Sequence, residues 1–244
     1  MFVQNRLGLI ESLETMRLQT EKLNQISNNL ANADTTGYKK NHVTFDEVLL
    51  RTAGGRQRVA KGLKIGTDFG QGSLEQTGDS LQVAINGDGF FRIRTPNGVR
   101  YTRDGSFRLN GQGQLVTQMG DQVLGQGGTI QLDSESVQIG QRGEILSKGQ
   151  LVDQLAIVSF ADPDALEKEG ESLYRLKSEG TTREEPAQNF SVRQGYLESS
   201  DVDAMSEMIG MIEVTRTTES QQKMIQAIDD LDGMAVRQVG TLPT

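Results

Sequence analysis

Ile26-Ser27-Asn28-Asn29-Leu30-Ala31-Asn32-Ala33-Asp34-Thr35-Thr36-Gly37-Tyr38-Lys39 is where one texture of this chain gives way to another. Its first residues close a helical rhythm. Leu9, Leu13, Met16, Leu23 and Leu30 recur at steps of four, three, seven and seven, with Thr20 and Ser27 in the two vacant places. Ile10 and Ile26 widen the stripe. A repeat near 3.5 residues is the pattern of helices that pack along one another. Residues 3–33 hold no Pro and one Gly, Gly8. They predict an amphipathic helix about 45 Å long at about 1.5 Å per residue. Asn28, Asn29, Asn32 and Asp34 mark its end, and Gly37 supplies a turn.

Downstream the character changes twice. Residues 35–75 are polar and basic, with Gly54, Gly55 and Gly62 inside. They read as an extended arm or a long hairpin. Residues 66–150 carry 17 of the 28 Gly, with short alternating runs between turn signals. Phe90 to Arg94 precedes Pro96-Asn97-Gly98, Val99 to Arg103 precedes Asp104-Gly105, and Ser106 to Leu109 precedes Asn110-Gly111. Asn-Gly and Asp-Gly turn tightly because both residues accept positive φ. This texture predicts an all-β domain, its strands continuing through 155–160, 173–176 and 190–197.

The last texture, about 200–238, is helical again. Ser200 and Asp203 have the spacing of a capping box. Met205, Met208, Ile209 and Ile212 form one apolar face, and Met224, Ile225, Ile228 and Leu231 another. Residues 216–223 between them hold no large apolar group. The expected fold class is therefore α+β. Discontinuous terminal helices (1–34 and 200–244) form a coiled-coil-like core domain, joined by an arm (35–75) to an inserted all-β domain (76–199). Two helices with one stripe each stay partly wet alone. Packing against other copies completes the burial and, being heterologous, propagates.

Bulk properties set limits. The 244 residues are 35% hydrophobic, with no Trp and 12 Phe plus Tyr, which predicts either a thin core or burial finished against partners. The absence of Cys excludes disulfides and thiolate metal sites. The first residues do not read as a cleaved leader, and runs such as Leu155–Val158 are too short to span a bilayer. No membrane insertion is expected. Net charge is −8, yet residues 1–65 hold 10 Lys+Arg against 6 Asp+Glu. The balance reads first as an acidic solvated surface; the alternative is a basic N-terminal part that meets acidic parts of neighbouring copies. Its basic residues lack interleaved aromatics, so nucleic acid is not an expected partner.

Chemistry-bearing constellations are sparse. His42 is the only His and reads as a solvated loop residue. Gly125-Gln126-Gly127-Gly128 lacks the Lys of a phosphate loop. Asn86-Gly87-Asp88-Gly89 lacks the ligand series and closing Glu of a calcium loop. The pairs Asp162/Asp164 and Glu184/Glu185 have the composition for glycoside chemistry, but nothing sets two of them across a pocket. No cofactor, metal or catalytic residue is expected. A cell-wall-active enzyme is the alternative of another class, and a secreted adhesin with coiled-coil ends a third.

Four blocks together resemble the flagellar rod and hook proteins. They are the opening stretch, Val83 to Phe91 with Gly87, Gly89 and Phe90, Tyr101-Thr102-Arg103-Asp104-Gly105-Ser106-Phe107 with 113–117, and Gln194-Gly195-Tyr196 to Val202 running into 208–212 and Arg216. Their order and spacing match over nearly the whole chain. The resemblance implies an axial rod subunit, exported unfolded through the flagellar type III apparatus without a cleaved leader. It would assemble in the periplasm with copies of itself and other rod proteins to carry torque. The β domain would lie outside and the 35–75 arm would tighten contacts. Chain length, and Asp201 where distal-rod members typically carry Asn, lean toward a proximal-rod member. Leu9, Leu13, Met16, Leu23, Ile26 and Leu30 would bury against Met205, Met208, Ile212, Ile225, Ile228 and Leu231, within and between subunits. Asn28, Asn29 and Asn32 would cap the helix end or bond to neighbours.

Overall fold

A computed structural model describes residues 2–51, 57–133, 137–170, 172–177 and 182–239. The chain is α+β: two long helices and a large β-rich body between them in sequence. Helix α1 spans Phe2–Ala31 and helix α2 spans Ala204–Val239. The residues group into two compact units. One holds 1–31, 43–65 and 203–244; the other holds 32–42 and 66–202. The stretch 35–75, expected as a single arm, is thus shared between them.

In the first unit α1 packs along α2. Asn29 near the end of α1 donates to the Glu207 carboxylate near the start of α2 at 3.3 Å, and Ile26 lies against Gly210. Partners fall along one helix as they rise along the other, so the pair is antiparallel. The start of α2 corrects the expected cap. Asp203, not Ser200, is the N-cap: its carboxylate accepts the Met205 amide at 3.1 Å and the Ser206 hydroxyl at 2.7 Å. Ser200 instead closes a turn by accepting from the Val202 amide at 3.2 Å. The strands Asn41–Arg51 and Gln57–Thr67 pair with one another. His42 therefore sits exposed on a strand rather than in a loop.

The second unit is the β body. Its ten-stranded sheet runs Leu166–Lys168, Leu173–Leu176, Gly98–Thr102, Phe90–Thr95, Gln122–Gly125, Leu115–Thr117, Phe107–Leu109, with Gly128–Thr129, Ile157–Phe160 and Glu184–Pro186 branching from it. The hairpin Phe90–Thr95/Gly98–Thr102 closes at Thr95 opposite Gly98, where Gly98 has φ 108°. Smaller pairings join Val83–Gly87 to Phe190–Gln194 and Leu74–Gln76 to Tyr196–Glu198.

Adjacent residues on a strand face opposite ways, and Phe90 and Phe91 use this to serve two cores. Phe91 joins Val83, Ile85, Ile93, Phe107 and Ile145 on one side. Phe90 joins Tyr101, Phe160 and Tyr174 on the other. The aromatics meet edge to face, Phe91 on Phe107 at 5.1 Å and Tyr101 on Phe160 at 4.8 Å between ring centres. The body's core is not thin. The few aromatics are concentrated in it.

Candidate functional site

Residues from all four of the quoted blocks are scattered along the sequence, but within the β body they meet. Lys39 and Glu198 form an ion pair with both side chains 0% exposed. Lys39 also donates to the Gly70 carbonyl at 2.6 Å. The Glu198 carboxylate accepts the Gly72 amide at 3.0 Å and an Arg103 guanidinium N–H at 3.3 Å. Arg103 reaches on to the Gly87 carbonyl at 2.8 Å, and its guanidinium lies 5.2 Å from the centre of the Phe90 ring. Burial holds the Arg103 pKa below its ordinary value, opposed by Glu198. Two cations and one carboxylate are thus taken from water together. That is tolerable only because nearly every donor and acceptor among them is used.

Around this knot the connecting segments are tied to each other. Gly37 donates its amide to the Glu198 carbonyl at 2.7 Å, and Lys40 donates its amide to the Asp201 carboxylate at 2.7 Å. Asp68 donates its amide to the Lys40 carbonyl at 2.9 Å. Gly37 has φ 64°, and a Cβ there would lie 2.4 Å from the Asp104 amide nitrogen, so only glycine fits. Asp104 holds the adjoining turn by accepting from Thr36 at 3.0 Å and from the Ser106 amide at 2.9 Å. A Cβ on Gly105 would collide with the Val83 carbonyl. Tyr38 is buried beneath Lys168, whose ammonium stands 3.3 Å from the ring centre and donates to the Lys39 carbonyl at 3.0 Å. Burial depresses the Lys168 pKa to about 8, against the pull of Asp201. Burial raises the Asp201 pKa, against the bond from the Lys40 amide.

The remaining motif residues are structural in the same region. Gly87 and Gly89 take φ 102° and 128° in the turn between Val83–Gly87 and Phe90–Thr95. Tyr101 donates its hydroxyl to Glu184 at 2.9 Å, and burial, then Glu184, pushes its pKa up to about 12. Gly195 has φ 76° and its carbonyl accepts from Thr77 at 2.8 Å, while Arg193 lies over the half-buried Tyr196 ring at 5.8 Å. Asn32 and Thr35 bond at 3.2 Å just past α1, Asn29 is buried on Glu207, and Asn28 is exposed. Lys39, Glu198, Lys168 and Tyr174 were not singled out as buried by sequence reasoning, and Asp201 was read only for its place in the family. Lys39, Glu198 and Asp201 lie inside the matching blocks, but nothing local marks a charge as buried.

The helix pair places the expected packing residues in two groups. Inward on α2 are Ala204, Glu207, Met211, Val214, Thr218, Gln221, Ile225 and Ile228, at alternating steps of three and four. On α1, Ile26 is buried and Met16, Leu23 and Leu30 are half-buried. Leu13, Met205, Met208, Ile212 and Leu231 are exposed within the chain. Leu9 falls on α1, but its side chain lies outside the described residues. The seam of α2 therefore runs beside its richest apolar face rather than through it. It includes Glu207, Thr218 and Gln221, whose amide oxygen is buried without a hydrogen bond. At about 1.5–3 kcal/mol per fully buried large side chain, so mixed a seam holds the pair only modestly.

The acidic pairs are engaged structurally. Asp162 accepts the Asp164 amide at 3.0 Å, and Glu184 is held by Arg92 at 3.1 Å as well as by Tyr101. Glu184 and Glu185 line a cavity of about 710 Å³ with Arg92 and Arg142. Among the described residues no group of three His, Cys, Asp or Glu could hold a metal ion, and no helix is long and apolar enough to cross a membrane.

Comparison with known proteins assigns the same three regions. The family model "Flagella basal body rod protein" matches residues 12–39. "Flagellar hook protein FlgE/F/G D1 domain" matches 84–147, and "Flagellar basal body rod FlgEFG protein C-terminal" matches 193–238. The chain is 36% identical over 252 residues to the flagellar basal-body rod protein FlgG of Bacillus subtilis, covering 92% of this chain and 96% of that one. It is also 36% identical over 243 residues to FlgF of Caulobacter vibrioides, covering 93% and 95%. FlgG of Borreliella burgdorferi is 34% identical over 254 residues, covering 90% and 94%. The matches run through both helices and the body alike, and the chain belongs to the family of flagellar basal-body rod proteins.

Proposed function

We propose that α1 and α2 form the coiled-coil-like core of a rod, packing on the helices of neighbouring subunits, while the inserted all-β body forms its outer layer. The chain is a structural subunit of the flagellar basal-body rod, not an enzyme. The proposed domain division is 1–34 and 200–244 for the core, 35–75 for the connecting arm and 76–199 for the outer body. The observation that carries the packing role is the set of large apolar side chains left exposed on α2, Met205, Met208, Ile209 and Ile212 foremost. A helix with so polar a seam and so apolar an exterior is completed by partners. Leu9, Leu13, Met16, Leu23, Ile26 and Leu30 on one side, and Met205, Met208, Ile212, Ile225, Ile228 and Leu231 on the other, then share burial within and between subunits.

The proximal-rod reading rests on Asp201. Relatives named FlgG and FlgF are matched alike, so axial position in an isolated basal body is the measurement that separates the two. Export through the flagellar type III apparatus and assembly in the periplasm with other rod proteins complete the proposal. Its test is Ile228→Asp. The variant is expected to be missing from isolated basal bodies and to abolish swimming while the β body unfolds at its usual midpoint. Normal swimming would refute the packing role.

A further inference from the structure

The exposed apolar residues of α2 are not one stripe. Measured from the α1 seam at about 100° per residue, Met205, Met208, Ile209 and Ile212 lie roughly 130° round the helix in one sense. Met224 and Leu231 lie roughly 80° round in the other sense and Met234 roughly 120°, by the same turn per residue. All seven are exposed. The polar stretch 216–223 separates them, and there Thr217 and Thr218 turn their hydroxyls back on the Glu213 and Val214 carbonyls at 2.8 Å. A helix packed along α2 follows one line and covers one set. Two lines at two heights need two neighbours.

We infer that α2 docks on two neighbouring copies of this chain, the face at Met205–Ile212 of one copy lying on the face at Met224–Leu231 of the next. This rests on the rod-subunit reading and specifies its contacts. The two faces share an internal spacing. Met205, Met208 and Ile212 step by three and four, and Met224, Ala227 and Leu231 follow them at the same offset of 19 residues. Parallel helices match these steps, whereas antiparallel apposition sets three against four. The stagger between copies is then about 28 Å at about 1.5 Å per residue. Every copy carries both faces, so one repeated contact covers each of them. Such a contact joins unlike surfaces and propagates without closing.

The chain has no cysteine, which makes disulfide mapping free of background. Met208→Cys and Ala227→Cys are introduced singly and together into the full chain in cells, and basal bodies are isolated and oxidised. The double variant is expected to give a ladder of dimers, trimers and larger species. The two single variants expressed together give dimers only, and each alone gives none. Dimers from either single variant alone would mean like-with-like contact and overturn the inference. A double variant present in basal bodies without a ladder would overturn it too, leaving the rod reading intact. Absence of the wild-type chain from basal bodies would overturn the rod reading itself. Should the 208/227 variant be excluded while Thr217→Cys enters, Met205→Cys with Met224→Cys is read in the same way, a ladder supporting the inference and its absence refuting it.

Discussion

Replacing Lys39 by Met tests the knot in the β body most directly. The substitution keeps most of the side-chain volume and deletes one charge. It leaves the Glu198 carboxylate fully buried beside Arg103 alone, and the Gly70 carbonyl without its 2.6 Å donor. Removing one partner of a buried pair costs about 3–5 kcal/mol. That is a large part of the 5–15 kcal/mol that typically separates a folded domain from its unfolded chain. For a body of this size the midpoint of thermal unfolding should fall by roughly 6–20 °C. The assay is built in: the four tyrosines, Tyr38, Tyr101, Tyr174 and Tyr196, all lie in the β body, and the chain has no Trp. Tyrosine fluorescence during denaturation therefore reports that unit alone. The double variant Lys39→Met/Glu198→Leu should lose less than the sum of its parts, because the two residues share one interaction. Arg175→Met is the control, since its pair with Glu167 is half exposed on both sides and its loss should leave the midpoint unchanged. A loss below about 1 kcal/mol for Lys39→Met would mean that water reaches the pair, and the reading of Lys39 and Glu198 as fully buried charges would fail.

Three further outcomes follow from the geometry. Gly37→Ala should destabilise the body by about 2 kcal/mol or more, since it adds the left-handed penalty to a clash with backbone at Asp104; a neutral midpoint in tyrosine fluorescence would refute this. Asp203→Ala should cost about 1 kcal/mol at the N-cap of α2, seen as faster amide hydrogen exchange over residues 204–208 with the body unchanged. Lys168 should make the body more stable as pH rises from 8 toward 9.5. Its folded pKa is near 8, while the unfolded ammonium holds its proton to about 10.4. The unfolded chain then binds more protons across that window, and stability climbs with pH. Lys168→Met should flatten the slope, and an unchanged slope would assign it elsewhere. Above that window Tyr101 acts the opposite way, its proton being held in the fold to about 12.

What could be read in advance depended on how local the signal was. Helix α1 was legible because its heptad and its terminal Asn cluster lie within thirty residues. The strands were legible from Asn-Gly and Asp-Gly turns a few residues long. The knot was not, because Lys39 and Glu198 lie 159 residues apart and each sits in a polar neighbourhood typical of surface. The phase of the helix seam was not legible either. Met205, Met208, Ile209 and Ile212 make a stronger apolar pattern than Glu207, Met211 and Val214, and periodicity follows the stronger pattern whichever partner it serves. Ser200 was favoured over Asp203 as a cap because the box spacing fits, yet the carboxylate nearer the first turn reaches the free amides.

The pairing of Lys39 with Glu198 also sets an order of events. The two buried cations and their one carboxylate come from positions 39, 103 and 198, so these charges are paired only once most of the chain has come together. Contacts of such long separation form last. A fragment ending before residue 198 lacks the carboxylate that Lys39 and Arg103 share. Pairing of the buried charges thus requires the chain from residue 39 to residue 198 in one piece.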